Sequence, residues 1–276
     1  MSAPAPEYVH ARRALLDALD HLGAHRAAAI LVGAQAVYAR STDVPIASSP
    51  YTTDADIALD PRLLGLDPAL EAAMTAAGFA LHGQPGLWFK PDDLLDEAEV
   101  DLLVPAALSG PGKRGARLKG HSSSAAMKSP GLEPALYDHS PMTIASFEGD
   151  GRSHTIEVAG VAALLIAKAH KVGERLDEAA SGKTDRTNDK DAADIVRLLL
   201  VADGATRSTL TSLADIEIAA PSTIRGIAYL RSLFGGSRSV GVEMAALALR
   251  NDMPVERVAA VAVEQVRMLT DGMLGG

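Results

Sequence analysis

Thr52-Thr53-Asp54-Ala55-Asp56-Ile57, followed downstream by Val100-Asp101-Leu102, is the stretch on which the reading of this chain turns. Residues 53–60 (TDADIALD) alternate as a strand does, and side chains two apart in a strand share a face, so Asp54 and Asp56 project together. Adjacent carboxylates repel each other. By itself such a pair reads as the solvated face of an edge strand; the alternative is a site for a hard cation such as Mg²⁺ or Mn²⁺, which takes carboxylate, phosphate and water oxygens. Asp101 stands alone between apolar residues on a second expected strand, where burial is costly unless something pairs with it.

Upstream lies Leu31-Val32-Gly33-Ala34-Gln35-Ala36. The apolar run Ala27–Val32 reads as a buried strand ending at Gly33, and GAQAVYAR reads as a helix starting there. A helix that opens on a strand-ending glycine points its free N–H groups and its dipole at whatever sits above it, an arrangement suited to phosphate.

Outward from this centre, residues 7–24 have the apolar spacing of an amphipathic helix, and a Ser/Pro-rich stretch fills 41–50. Asp67-Pro68 is expected to open a helix, Asp as cap and Pro in the first turn, with Gly78 closing it. Residues 79–83, 86–90 and 99–105 are expected strands, and 105–131, rich in Gly, Ser and Pro, is expected to be one long loop. Residues 142–158 read as a hairpin turning at Gly149-Asp150-Gly151. From Val158 onward the pattern is helical, with loops near 181–189, 203–206 and 235–241. The expected fold class is therefore α/β (α+β), a mixed-sheet domain over 1–157 followed by a helical domain over 158–276.

Composition narrows the chemistry. With 276 residues and 47% hydrophobic content the chain can bury a sizeable core, and it has no cysteine for a thiol nucleophile, redox pair or thiolate metal site. None of the eight histidines forms a metal-like pair, and His82 and His154 are read as structural. No apolar stretch is long enough for a bilayer and no signal-peptide order opens the chain, so a cytoplasmic protein without membrane contact is expected. The net charge of −9 argues against an all-basic surface but leaves room for a local patch. Such a patch stands between Asp101 and Glu133, where Lys113, Arg114, Arg117, Lys119 and Lys128 occur with no acid. That composition suits contacts with a phosphate backbone; the alternative is a solvated loop that binds nothing.

In the second half, Lys168, Lys171 and Arg175 lie at i, i+3 and i+7, one helical face, and Lys190-Asp191-Ala192-Ala193-Asp194-Ile195 follows after a loop. Taken alone these are an ordinary solvated face with salt-bridging partners. The glycine turn, the D-x-D strand and the later apolar-Asp-apolar strand together resemble the nucleotidyltransferase fold of the polymerase β type. Lys, then Arg seven residues on, then Lys-Asp-x-x-Asp-Ile resembles the AbiEii-type nucleotidyltransferases, the toxins of type IV toxin–antitoxin and phage-abortive systems; Thr-x-Asp-x-Asp at 52–56 matches as well. The resemblance covers about residues 28–200. The family usually has Gly-Gly or Gly-Ser at the turn where this chain has Gly33-Ala34, and STDVPIASSP lengthens the spacing to the D-x-D.

The resemblance implies transfer of a nucleoside monophosphate from NTP to an acceptor hydroxyl. It implies that Asp54, Asp56 and Asp101 hold Mg²⁺ or Mn²⁺, with Asp101 helping to deprotonate the acceptor. Gly33, Ala34, Lys168, Lys171 and Arg175 would bind the nucleotide, with Asp191 orienting Lys168. It further implies an RNA or tRNA acceptor, for which Arg114, Arg117 and Lys119 are the candidate contacts, and a cognate antitoxin as partner. The competing readings are a nucleotidyltransferase acting on a small molecule or protein side chain, and a degenerate nucleotide-binding module without catalysis.

Overall fold

The computed structural model describes residues 4–46, 51–92, 96–183 and 187–273. Helix α1 (Pro6–Leu22) buries Tyr8, Ala11, Leu15, Leu19 and Leu22, spaced by three and four residues as one helical face requires. A short 3₁₀ turn leads into β1 (Ala29–Val32), all four residues of which are buried. Strand β1 passes directly into α2 (Gly33–Arg40), the reversal being made at Gly33 with φ +65°.

Then come β2 (Asp54–Leu59), α3 (Leu70–Ala76), β3 (Ala80–Leu81), β4 (Leu87–Asp92), β5 (Asp96–Pro105), β6 (Met127–Ser129) and the hairpin β7 (His139–Ala145) and β8 (Ser153–Ala159). Among the described residues these strands form one mixed sheet in the order β3-β4-β5-β2-β1-β8-β7, with β6 added beside β5. The β2/β5 and β1/β8 pairs are parallel, whereas β1/β2, β4/β5 and β7/β8 are antiparallel. Ala55, Ile57, Leu59, Val100, Leu102 and Val104 form a fully buried face. Helix α1 covers it: Lys90, whose register partner Ala98 belongs to that face, ion-pairs with Asp17 of α1 at 2.7 Å.

The helices that follow are α4 (Val161–Ala180), α5 (Asp189–Val201), α6 (Gly204–Asp215), α7 (Ala220–Phe234), α8 (Val240–Ala248) and α9 (Val255–Thr270). The chain divides into two compact units. One comprises Met1–Ala36, Ser49–Ser129 and His139–Ala159 and carries the sheet; the other comprises Val37–Ser48, Pro130–Asp138 and Gly160–Gly276. In the second, α4 packs on α5 and α7, and α5 packs on α8 and α9. The break expected at 157/158 falls inside β8, which runs on to Ala159 in register with His139. No helix among the described residues is long and apolar enough to cross a membrane.

Three expected elements differ. Helix α3 starts at Leu70, two residues beyond Pro68, because the Pro68 carbonyl accepts a hydrogen bond from buried His25 Nε2 at 2.7 Å and so lies outside the helical ladder. The 105–131 segment is not one loop, since Met127–Ser129 pairs with Leu103–Pro105 and a 3₁₀ turn spans Ala106–Leu108. Residues 204–206, expected in a loop, are the first turn of α6. There Asp203 and Thr206 form a reciprocal capping box, each side chain accepting the other's backbone N–H. Residues 47–50 of the Ser/Pro-rich stretch and 184–186 of the expected 181–189 loop lie outside the described residues.

Candidate functional site

The parallel pairing of β2 with β5 sets Asp54 opposite Glu99 and Asp56 opposite Asp101. Paired positions share a face, so four acids occupy a two-by-two block on the face away from Ala55, Ile57, Val100 and Leu102. Strand spacing puts their Cα atoms about 5 Å apart across the pair and about 7 Å apart along each strand. At that spacing four carboxylates cannot all ionise freely. The Asp101 carboxyl is pushed up to about 9, by burial first and then by the charges of Asp56, Glu99 and Asp54 together with a hydrogen bond to Glu99. It therefore holds a proton at neutral pH. Its Oδ1 is buried without a hydrogen-bond partner.

The turn between β1 and α2 closes on this block. A Cβ at Gly33 would lie 1.8 Å from Asp56 Oδ2, and the positive φ there is a conformation that side chains resist. Glycine is required on both counts, and its absence of a side chain lets the Asp56 carboxylate rest against the N-terminus of α2, where the helix dipole favours negative charge. The side chain of Ala34 is buried, so the turn offers backbone N–H groups alone. Asp54 is held at both ends: Thr52 Oγ1 donates to its Oδ1, and its carbonyl accepts from Gln35 Nε2 at 3.1 Å.

The donor set is all oxygen, the chemistry of a Mg²⁺ or Mn²⁺ site, and the buried unpartnered Asp101 Oδ1 and the clearance at Gly33 both fit a cation bound there. Among the described residues no three His, Asp or Glu side chains are gathered closely enough to hold a metal ion. Mutual repulsion opposes such convergence, and the acids of this block would have to rotate toward one point to coordinate.

In the second unit, Lys168, Lys171, Arg175 and Asp191 do come together, with Asp194 as a fifth member. Lys168 Nζ donates to Asp191 Oδ1 at 2.8 Å and to Asp194 Oδ2 at 2.7 Å, and the three side chains are 4%, 6% and 1% exposed. Arg175 Nη1 donates to Asp191 Oδ2 at 3.0 Å, and Lys171 Nζ stands 3.5 Å from Asp191 Oδ1. Burial works against every charge here. The two aspartates nonetheless hold the Lys168 ammonium well above the usual lysine range, and the cations hold Asp191 well below the usual carboxylate range. The ammonium is thus a buried counter-ion; Lys171 and Arg175 are the members of the face that reach solvent.

In the basic segment Lys113, Arg114, Arg117 and Lys119 are exposed, and Arg114 Nη1 donates to Gln84 Oε1 at 3.3 Å. Lys128 turns inward instead, donating to the carbonyls of Gly110 and Gly112 and closing the segment on itself. His154 pairs with Asp20 and His82 lies beside Glu97.

Two parts of the site were not anticipated. Glu99 had a signal, because Glu99-Val100-Asp101 repeats the alternation of Asp54-Ala55-Asp56. Gln35 and its partner Arg12 had none, since each reads as an ordinary polar position of an amphipathic helix. The chain matches no protein-family model, no curated protein and no solved structure.

Proposed function

We propose that this protein is a metal-dependent nucleotidyltransferase that moves a nucleoside monophosphate from NTP to an acceptor hydroxyl. The observation that carries the reading is the block formed by Asp54, Asp56 and Asp101 on adjoining strands with the Gly33 turn closed against Asp56. An acid block beside a helix N-terminus offers a cation and a polyphosphate neighbouring places, which is the requirement of phosphoryl chemistry. Asp54, Asp56 and Asp101 would hold Mg²⁺ or Mn²⁺, which when bound neutralises developing charge on the phosphate oxygens. The backbone N–H groups at Gly33 and Ala34 would receive phosphate oxygens. In the reaction the acceptor oxygen bonds to the α-phosphorus as its proton passes to solvent water, Asp101 being already protonated at neutral pH and so not the base that the resemblance implies, while the bond to the pyrophosphate oxygen breaks and pyrophosphate leaves.

RNA is the acceptor we favour, on the acid-free exposed cations of the 105–131 segment; tRNA in particular rests on the sequence resemblance. A toxin role with a cognate antitoxin rests on the sequence resemblance alone. The test is incubation of the purified protein with each labelled NTP, Mg²⁺ and total RNA. Labelled RNA and released pyrophosphate are expected, both abolished in Asp56→Ala, whose circular-dichroism spectrum should show the wild-type fold retained. Metal-dependent NTP consumption without RNA labelling would move the reading to a small-molecule or protein acceptor. Absence of consumption with all four NTPs would leave a non-catalytic nucleotide-binding module.

A further inference from the structure

We propose that Arg12 and Gln35 are positioning residues that hold the start of β2, and with it Asp54, in place for cation binding; the inference rests on the metal-site reading above. Strand β1 ends at Val32, opposite Asp56, because the chain turns into α2 at Gly33. Asp54 therefore extends past the end of its neighbour on that side, while on the other side it is paired opposite Glu99. Gln35, in the first turn of α2, stands in for the missing strand. Its Nε2 donates to the Asp54 carbonyl at 3.1 Å. One side-chain amide thus ties the glycine turn to the first acid of the block.

Arg12 decides which way that amide points. Its Nε donates to Gln35 Oε1 at 2.9 Å, and since a guanidinium has donors only, the oxygen of Gln35 must face it and the NH₂ must face Asp54. The guanidinium is anchored in turn by Nη1 to the Ala145 carbonyl at 2.8 Å and by Nη2 to the Tyr8 hydroxyl at 2.7 Å, with the Phe147 ring 4.5 Å away. Arg12 is 6% exposed and Gln35 1%. All three acceptors are neutral, and burial draws the guanidinium below its usual range. A buried cation among neutral partners is a poor way to gain stability compared with an apolar side chain of the same size. What this one supplies is orientation: packing alone could hold α2, but only a donor at position 35 continues the hydrogen bonding of β2 beyond the end of β1.

Gln35→Glu separates the two roles. Glutamate keeps the acceptor for Arg12 and gives the guanidinium an anionic partner, but it loses the N–H that Asp54 receives. In the full-length chain, Mn²⁺ binding followed by the loss of free-ion EPR signal should weaken about tenfold, although a negative charge has been added near the site. Hydrogen exchange over residues 51–57 should quicken, while the remaining strands of the sheet keep their wild-type protection. Gln35→Met, which lacks both bonds, should weaken Mn²⁺ binding at least as much. If wild type binds Mn²⁺ and both variants bind it equally well, the positioning role is wrong and the metal site stands. Wild type that binds no Mn²⁺ would remove the metal site and this inference together.

Discussion

Asp101 carries a proton that a surface aspartate has lost by neutral pH, and the consequence is a sign that can be measured. Unfolded, the residue ionises near pH 4; folded, it ionises near 9, because burial and the neighbouring Asp56, Glu99 and Asp54 oppose its charge. Between those limits the folded chain binds more protons than the unfolded one, so stability falls as pH rises from about 4 to about 9. Asp101→Asn keeps the shape and a donor toward Glu99 but removes the titration. At pH 5 it should melt close to wild type, and the gap in its favour should widen steadily toward pH 8, by up to about 1.4 kcal/mol for each pH unit. Parallel pH profiles for the two proteins would show that Asp101 is not protonated in the folded state. At the same residue scale Gly33 is not interchangeable with alanine, because a methyl there collides with the Asp56 carboxylate.

At the scale of elements, α4 and α5 are joined by charge in a place where helices are usually joined by apolar contact. Lys168, Asp191 and Asp194 are almost wholly buried, so removing the ammonium leaves two carboxylates facing each other without their main counter-ion. Lys168→Met should cost about 3–5 kcal/mol in urea unfolding, whereas Lys171→Ala, at the solvent edge of the same cluster, should cost less than about 1 kcal/mol. A Lys168→Met chain as stable as wild type but slow with NTP would return the lysine to a purely functional role. How far such elements could be read in advance depended on where their determinants lie. Helix α2 and the β7–β8 hairpin follow from local chemistry, a glycine reversal at Gly33 and a Gly149-Asp150-Gly151 turn, and both stand where expected. The start of α3 and the existence of β6 are decided by partners far along the chain, His25 for Pro68 and β5 for Met127–Ser129, and no local pattern could reveal them. The acids divide the same way. Asp54, Asp56 and Asp101 declare themselves by strand alternation, but their juxtaposition, and the membership of Glu99, comes from the β2/β5 register.

For the whole molecule the governing quantity is charge, and its distribution runs against its sum. A chain of net charge −9 repels nucleic acid on average, so the proposed RNA binding would have to be local. The 105–131 segment is suited to this because it contains no acid and because its fold separates its cations by role. Lys128 is spent inside the segment on the carbonyls of Gly110 and Gly112, while Lys113, Arg114, Arg117 and Lys119 remain exposed. Each cation that touches a backbone phosphate releases bound counter-ions, so log affinity falls with log salt at a slope of about one per contact. Replacing Arg114, Arg117 and Lys119 with alanine together should weaken RNA binding and lower that slope by up to about three, as read by fluorescence anisotropy across a salt series. NTP affinity should be unchanged, since these side chains are assigned to the acceptor and not to the triphosphate. Stability should barely move, because the three side chains are exposed and Lys128, which closes the segment, is retained. Equal affinity and equal slope in the triple variant would remove RNA from the proposal and leave the acid block with a small-molecule or protein acceptor. A weaker but equally salt-dependent complex would mean that the segment shapes the surface without touching phosphate, and that the contacts lie elsewhere.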